Sequence, residues 1–139
     1  MWQTSISKTN VLIFDELICL YKRYFSTKTK VLEIACNDGA FLKYLQKKFH
    51  CFLVGIDPAK NIYEKNKGIV YINDFFNHVI SKRIHKKHGK FDLIFARNVL
   101  AHVTDPNEIF KGVKELLSNN GTFVVEVPHL MPILKNLQY

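Results

Sequence analysis

Val31-Leu32-Glu33-Ile34-Ala35-Cys36-Asn37-Asp38-Gly39 decides the fold. Its first part, with Lys30 before it, is a short apolar run ending at Ala35, the pattern of a buried strand that carries one acid. Asp38 then supplies an oxygen that can cap a helix, and Phe41, Leu42, Leu45 and Phe49 fall on one side of the helix predicted through Phe49. A second strand, Phe52 to Ile56, stops at Asp57-Pro58.

The same alternation extends in both directions. Upstream, Phe14, Leu17, Ile18, Tyr21 and Phe25 give Val11 to Phe25 the three-and-four spacing of a helix with one buried face. Downstream, Ala59 to Lys67 reads as a short helix and Val70 to Ile72 as a third strand. Phe75 to His88 reads as a helix with Phe76, Val79, Ile80 and Ile84 inward and Gly89 at its end. Phe91 to Ala96 is the fourth strand. Asp105-Pro106-Asn107-Glu108 has the form of a capping box and opens a helix through Ser118. Asn120-Gly121 then turns the chain into the fifth strand, Thr122 to Val127. Strands alternating with helices at this spacing imply right-handed crossovers and a parallel sheet. The expectation is an α/β, Rossmann-like doubly wound sheet in the order 3-2-1-4-5. Residues 1–29 supply an N-terminal helix packed on a core of residues 30–139, one domain in all.

Composition narrows the classes. With 139 residues, 47% hydrophobic and 23% charged, the chain suits one domain with a real core and is not disordered as a whole. No apolar run reaches the ~18 residues of a membrane span. The start lacks a secretory pattern, and Cys19, Cys36 and Cys51 form no CxxC pair, so a reducing cytoplasm is expected. A net charge of +8 favours encounter with anionic partners without choosing among them. Much of it lies in Lys82 to Lys90, which reads as a solvated helix end. That run lacks interleaved aromatics for base stacking, so nucleic acid is not the expected partner. His85 and His88 share a helical face, but flanking lysines repel a cation and no third ligand is evident. No metal site is expected.

Ligands of open parallel sheets bind beyond the carboxyl ends of the strands. An acid at the end of strand two, here Asp57, can accept two hydrogen bonds from a ribose diol; it stands at a strand end, outside the core. The first loop selects the nucleoside. Ala-Cys-Asn-Asp-Gly is not the Gly-x-Gly-x-x-Gly of a pyrophosphate site, and Glu33 and Asp38 would repel one. The same carboxylates suit an ammonium and a sulfonium, the charges of S-adenosylmethionine.

Val31 to Gly39 resembles motif I of class I S-adenosylmethionine-dependent methyltransferases, most nearly the sugar-nucleotide C-methyltransferases. Gly55-Ile56-Asp57-Pro58-Ala59-Lys60-Asn61, Ala96-Arg97-Asn98-Val99-Leu100-Ala101-His102-Val103 and Val125-Glu126-Val127-Pro128 extend the resemblance in order and register, from Lys30 onward. It implies that Glu33 and the loop Ala35, Asn37, Asp38 and Gly39 hold the methionine end of the cofactor. It implies Asp57 at the ribose, with Pro58 beside it, and Asp74 at the adenine amino group with Phe75 against the ring. Asn98 would sit near the sulfonium. Ala35 departs from the pattern, since the family has glycine there. The family's Tyr-His-Glu-His segment and C-terminal strand pair have no counterpart before Tyr139, and neither has its cysteine-rich zinc module. The fold is therefore expected as a truncated one, with no substrate base or metal site carried over.

His102 has the intrinsic pKa of a general base and is the candidate catalytic residue; the alternative is a histidine that orients its loop. Two functions remain open. One is methyl transfer to a small-molecule acceptor, with a sugar nucleotide and C-methylation as candidates. The other is a cofactor-binding but inactive or incomplete core that needs a further segment or partner. Strand five is expected at a sheet edge, with Phe123, Val124, Val125 and Val127 inviting a homo-oligomer.

Overall fold

The computed structural model describes residues 8–59 and 67–127. Five strands form one parallel sheet: β1 (Lys30–Ile34), β2 (Phe52–Ile56), β3 (Ile69–Ile72), β4 (Phe91–Arg97) and β5 (Leu117–Glu126). Their order is β3-β2-β1-β4-β5, as the alternation predicts. α1 (Lys8–Tyr21) and α2 (Ala40–Lys48) cover one face; α3 (His78–His88) and α4 (Pro106–Leu116) cover the other.

Two cores follow from the period of two along the strands. Val31, Leu53, Leu93 and Phe95 pack with Phe14, Ile18, Phe41, Leu42 and Leu45 beneath α1 and α2. Leu32, Ile34, Val54, Ile56, Ile94 and Ala96 pack with Ile80, Ile84, Ile109, Val113 and Leu116 beneath α3 and α4. Glu33, Arg97 and Glu126 share the parity of Val31, Phe95 and Val124, so alternation places all three on the α1/α2 face.

Several boundaries differ from the sequence expectation. The first helix stops at Tyr21 and tightens into a 3-10 turn, Lys22–Tyr24, before Phe25 becomes extended. Ser26 and Thr29 close a turn there: Ser26 N–H donates to Thr29 Oγ1 at 2.9 Å, Thr29 N–H to Ser26 O at 3.1 Å. Phe25 thereby stacks on Phe49, with ring centroids 4.5 Å apart. The cap of α2 is Gly39, in the left-handed region at φ 71°, and Asp38 Oδ1 accepts from Ala40 N at 3.1 Å. α3 starts at His78, because Asn77 caps it by accepting from Ile80 N. Asp105 caps α4, but Glu108 does not complete the box; its carboxylate reaches across to His78 N and Lys111. β5 runs from Leu117 rather than Thr122, with Asn120 and Gly121 absorbed in a register shift opposite Phe91 and Leu93. The short helix expected at 59–67 lies, but for its ends, outside the described residues.

Candidate functional site

Beyond the carboxyl ends of β1 and β4 opens a cleft of about 370 Å³. Glu33, Ala35, Cys36, Asn37 and Asp38 line it from β1 and its loop, Phe14 and Phe41 from α1 and α2, and Arg97, Asn98, Val99 and His102 from β4 and the turn that follows. The loop after β1 comes close to β2 because residue 55 is glycine. A β-carbon there would fall 2.6 Å from Cys36 Sγ and 2.8 Å from Leu42 Cδ1.

Among the described residues three non-glycine residues have positive φ, and all three line the cleft: Ala35 (56°), Asn37 (50°) and Asn98 (52°). Left-handed backbone costs an L-residue roughly 1–2 kcal/mol, so the loops are held by contacts that outweigh that cost. For Asn37 the contact is its N–H donating to Asp57 Oδ2 at 3.0 Å. Ala35 adopts the conformation for which the resembling family has glycine.

Glu33 is 3% exposed. Its Oε1 lies 3.4 Å from Arg97 Nη1, while its Oε2 is buried and has no hydrogen-bond partner among the described residues. Burial pushes the carboxyl up to about 8, opposed by Arg97 and reinforced by the negative charges of Asp38 and Glu126. The Arg97 guanidinium carbon lies 4.8 Å from the Phe14 ring centre and 4.9 Å from that of Phe41. Its Nε donates to Glu126 Oε2 at 2.9 Å. A buried carboxyl with an unused oxygen on a cleft is a receptor for a cationic group that brings its own hydrogen-bond donors. That chemistry fits the ammonium of S-adenosylmethionine and not a pyrophosphate.

Asp57 stands at the β2 end as expected, but it is 9% exposed and already engaged. Its Oδ2 accepts from Asn37 N and its Oδ1 from Ala59 N, at 3.0 and 2.9 Å. Asn73 Nδ2 donates to Asp57 O and Ala59 O, continuing the rim to β3. Pro58 follows on that rim. Asp74 and Phe75 are not brought into the cleft. Asp74 lines a second hollow of about 320 Å³ between β3 and α3, where its carboxylate accepts from Phe75 N and lies 3.9 Å from Arg83. Phe75 is 71% exposed. His102 is exposed on the 3-10 turn Leu100–His102, its N–H donating to Val99 O at 2.9 Å. His85 Nδ1 pairs with Glu115 of α4 at 2.5 Å, and His88 lies against Phe52.

Sequence reasoning missed Arg97, Glu126, Phe14 and Phe41 as site residues. A signal for the first existed: an arginine on the buried parity of β4 demands a carboxylate, and Glu33 on the same parity of β1 is within reach.

Comparison with known proteins gives a consistent result. The C-methyltransferase NovU of Streptomyces niveus is 33% identical over 124 residues, covering 88% of this chain and 29% of that protein. The tRNA U34 carboxymethyltransferase of Sulfurimonas denitrificans is 28% identical over 111 residues, 77% of this chain and 38% of that protein. Among solved structures, the plantazolicin methyltransferase BpumL in complex with SAH superposes with a TM-score of 0.73 at 21% identity, covering 93% of this chain and 51% of that one. The chain thus spans between 29% and 51% of the length of these relatives. The Methyltransferase domain family matches residues 11–138, and the chain belongs to that family.

Proposed function

We propose that the cleft binds S-adenosylmethionine and that the protein transfers its methyl group to a small-molecule acceptor, with a sugar nucleotide and attack by carbon as the specific reading. The observation that carries the cofactor assignment is the buried Glu33 Oε2 without a partner among the described residues, in a cleft that Asp38 lines and whose loop Asp57 holds at Asn37 N. The C-methyltransferase relative supports the choice of acceptor chemistry.

Glu33 and the Ala35–Gly39 loop receive the methionine end. Asp57 accepts from the ribose hydroxyls, with Pro58 beside it. Asp74 and Phe75, which lie outside the cleft, serve the adenine from the side of β3. Asn98 lies near the sulfonium. When bound, the cofactor supplies an electrophilic methyl group; the protein supplies alignment for in-line attack. His102, exposed on the cleft, takes the acceptor proton. Titration calorimetry with S-adenosylmethionine and S-adenosylhomocysteine tests the assignment, and absence of binding rejects it.

Asp57→Ala is expected to weaken binding of either ligand by roughly 1.5–3 kcal/mol, about 10- to 150-fold in Kd. Because Asp57 holds two backbone amides, the same change also loosens the loop at Asn37. Calorimetry at a temperature where the variant is folded separates the two effects, and unchanged affinity removes Asp57 from the site.

A specific observation favours the second reading, a core that acts together with further chain: the coverage of 29% and 38% of the curated relatives. Neither reading needs nucleic acid as partner. None of the three cysteines is in a disulfide, which supports a reducing cytoplasm, and no helix among the described residues is long and apolar enough to cross a membrane.

β5 is at the sheet edge among the described residues, with Val125 40% and Val127 53% exposed. Its one acid, Glu126, is drawn into the site and does not guard the edge. Self-association through β5 is the expected consequence. Sedimentation at micromolar concentration should show a dimer that Val125→Lys dissociates; a monomer in both forms overturns this.

A further inference from the structure

Glu126 makes three contacts with two consecutive residues of the cleft. Its Oε2 accepts from Arg97 Nε at 2.9 Å and its Oε1 from Asn98 Nδ2 at 2.9 Å. Its backbone oxygen accepts from Asn98 N at 2.8 Å. Arg97 and Glu126 are register partners across β4 and β5, so the pairing is built into the sheet. The comparison within one guanidinium is informative. The bond to Glu126 has the length of a charge-assisted pair, whereas Nη1 lies 3.4 Å from Glu33 Oε1, too long for one. The donors of a guanidinium are fixed in a plane. With Nε held and the Phe14 and Phe41 rings against it, the plane cannot turn to close as a fork on Glu33.

We propose that Glu126 is a positioning residue of the cleft. It takes one donor of Arg97 and one of Asn98, holds Asn98 in its left-handed conformation, and keeps the guanidinium from closing on Glu33, which leaves that carboxyl to a ligand ammonium. The last clause rests on the S-adenosylmethionine reading; the hold on Arg97 and Asn98 does not.

The charged and titratable groups that face Glu33 are Arg97 from β4, Asp38 from the loop after β1, Glu126 from β5 and Tyr71 from β3, and Cys36 and His102 line the same cleft. α1 and α2 present Phe14 and Phe41, which carry no charge. Glu126→Gln removes one of the two like charges and leaves Arg97 Nε only a neutral amide oxygen, which weakens the hold that keeps the guanidinium from closing on Glu33. Both changes lower the pH at which Glu33 loses its proton, a result that a merely structural role would not produce.

The test uses the 139-residue chain, wild type and Glu126→Gln. Urea unfolding without ligand from pH 5 to 9 follows the Glu33 proton, and calorimetry with S-adenosylhomocysteine at pH 8.5 follows binding. The expected results are a titration step moved down by about one pH unit or more and affinity lowered about tenfold. A step that stays in place, or an unchanged affinity, overturns the proposal. If the step moves while the wild type binds no S-adenosylhomocysteine, the positioning role stands and the cofactor reading falls. Should Glu126→Gln not fold, Glu126→Asp keeps the charge but is one methylene short of spanning both partners. It is expected to lower affinity about threefold or more, and wild-type affinity in that variant overturns the proposal.

Discussion

Phe41→Ala is expected to cost about 3–5 kcal/mol of stability, the range for emptying a buried aromatic site. Phe41 is 1% exposed and sits at the centre of an aromatic cluster: 5.0 Å from Phe95 edge-on and 5.1 Å from Phe14. Removing the ring also takes away one of the two surfaces on which Arg97 rests. A cost of that size is a large share of the roughly 5–15 kcal/mol that separates folded from unfolded domains. The urea midpoint should therefore fall steeply, while Phe41→Leu, which fills most of the volume, should cost under about 1.5 kcal/mol. Near-equal midpoints for the alanine and leucine variants would show that the site collapses onto the void and that the cluster is not what supports the cleft.

The second large effect is a loss of stability with rising pH. Glu33 has a folded pKa of about 8 against an ordinary value of 4.5. Over that interval the native state keeps a proton that the unfolded chain has released, so unfolding releases it. Each unit of pH then favours the unfolded state by up to about 1.4 kcal/mol, up to about 4 kcal/mol across three units. The contribution is fully present below 4.5 and is lost as pH rises through 8. Asp15, Glu108 and Glu115 act in the opposite sense. Lys48, Lys111 and His85 respectively hold their carboxyls below the usual range, and their stabilisation fades on the acid side. These three groups are on the surface, where pairing is worth little. Unfolding free energy should fall from pH 5 to 8 in the wild type relative to Glu33→Gln, in which His88, held below the usual range by burial, leaves a profile that does not fall. A wild-type profile parallel to that of the variant would falsify the raised pKa.

The sheet order and all five strands were legible in the sequence because each strand is a local run of apolar residues and the crossovers leave few topologies. Ends were less legible where a contact from elsewhere decided them. The first helix ends early because Ser26 and Thr29 offer the backbone an alternative set of hydrogen bonds. Glu108 leaves its own helix start for His78, a choice visible only once α3 and α4 lie side by side. The site divides in the same way. Glu33, Asp38 and Asp57 could be picked out by charge at strand ends. Phe14 read as core, and core it is, yet it also faces the cleft; Arg97 and Glu126 meet only when β4 and β5 pair. Asp74 and Phe75 were named from the resemblance and lie apart from the cleft in this structure, Asp74 on a second hollow and Phe75 exposed beside it in sequence.

Phe14 gives α1 a second consequence. It is fully buried and belongs at once to the core, to the aromatic cluster and to the wall of the cleft. Whatever fills the cleft therefore touches the first helix as well as the loops, and the two events share one free energy. A ligand that gains contact with Phe14 strengthens the attachment of α1 by the same amount that an attached α1 strengthens the ligand, because linkage is reciprocal. The amino-terminal helix is thus part of the binding equilibrium, and any tendency to detach weakens the apparent affinity of the strand-end carboxylates by the fraction of molecules in which it is attached.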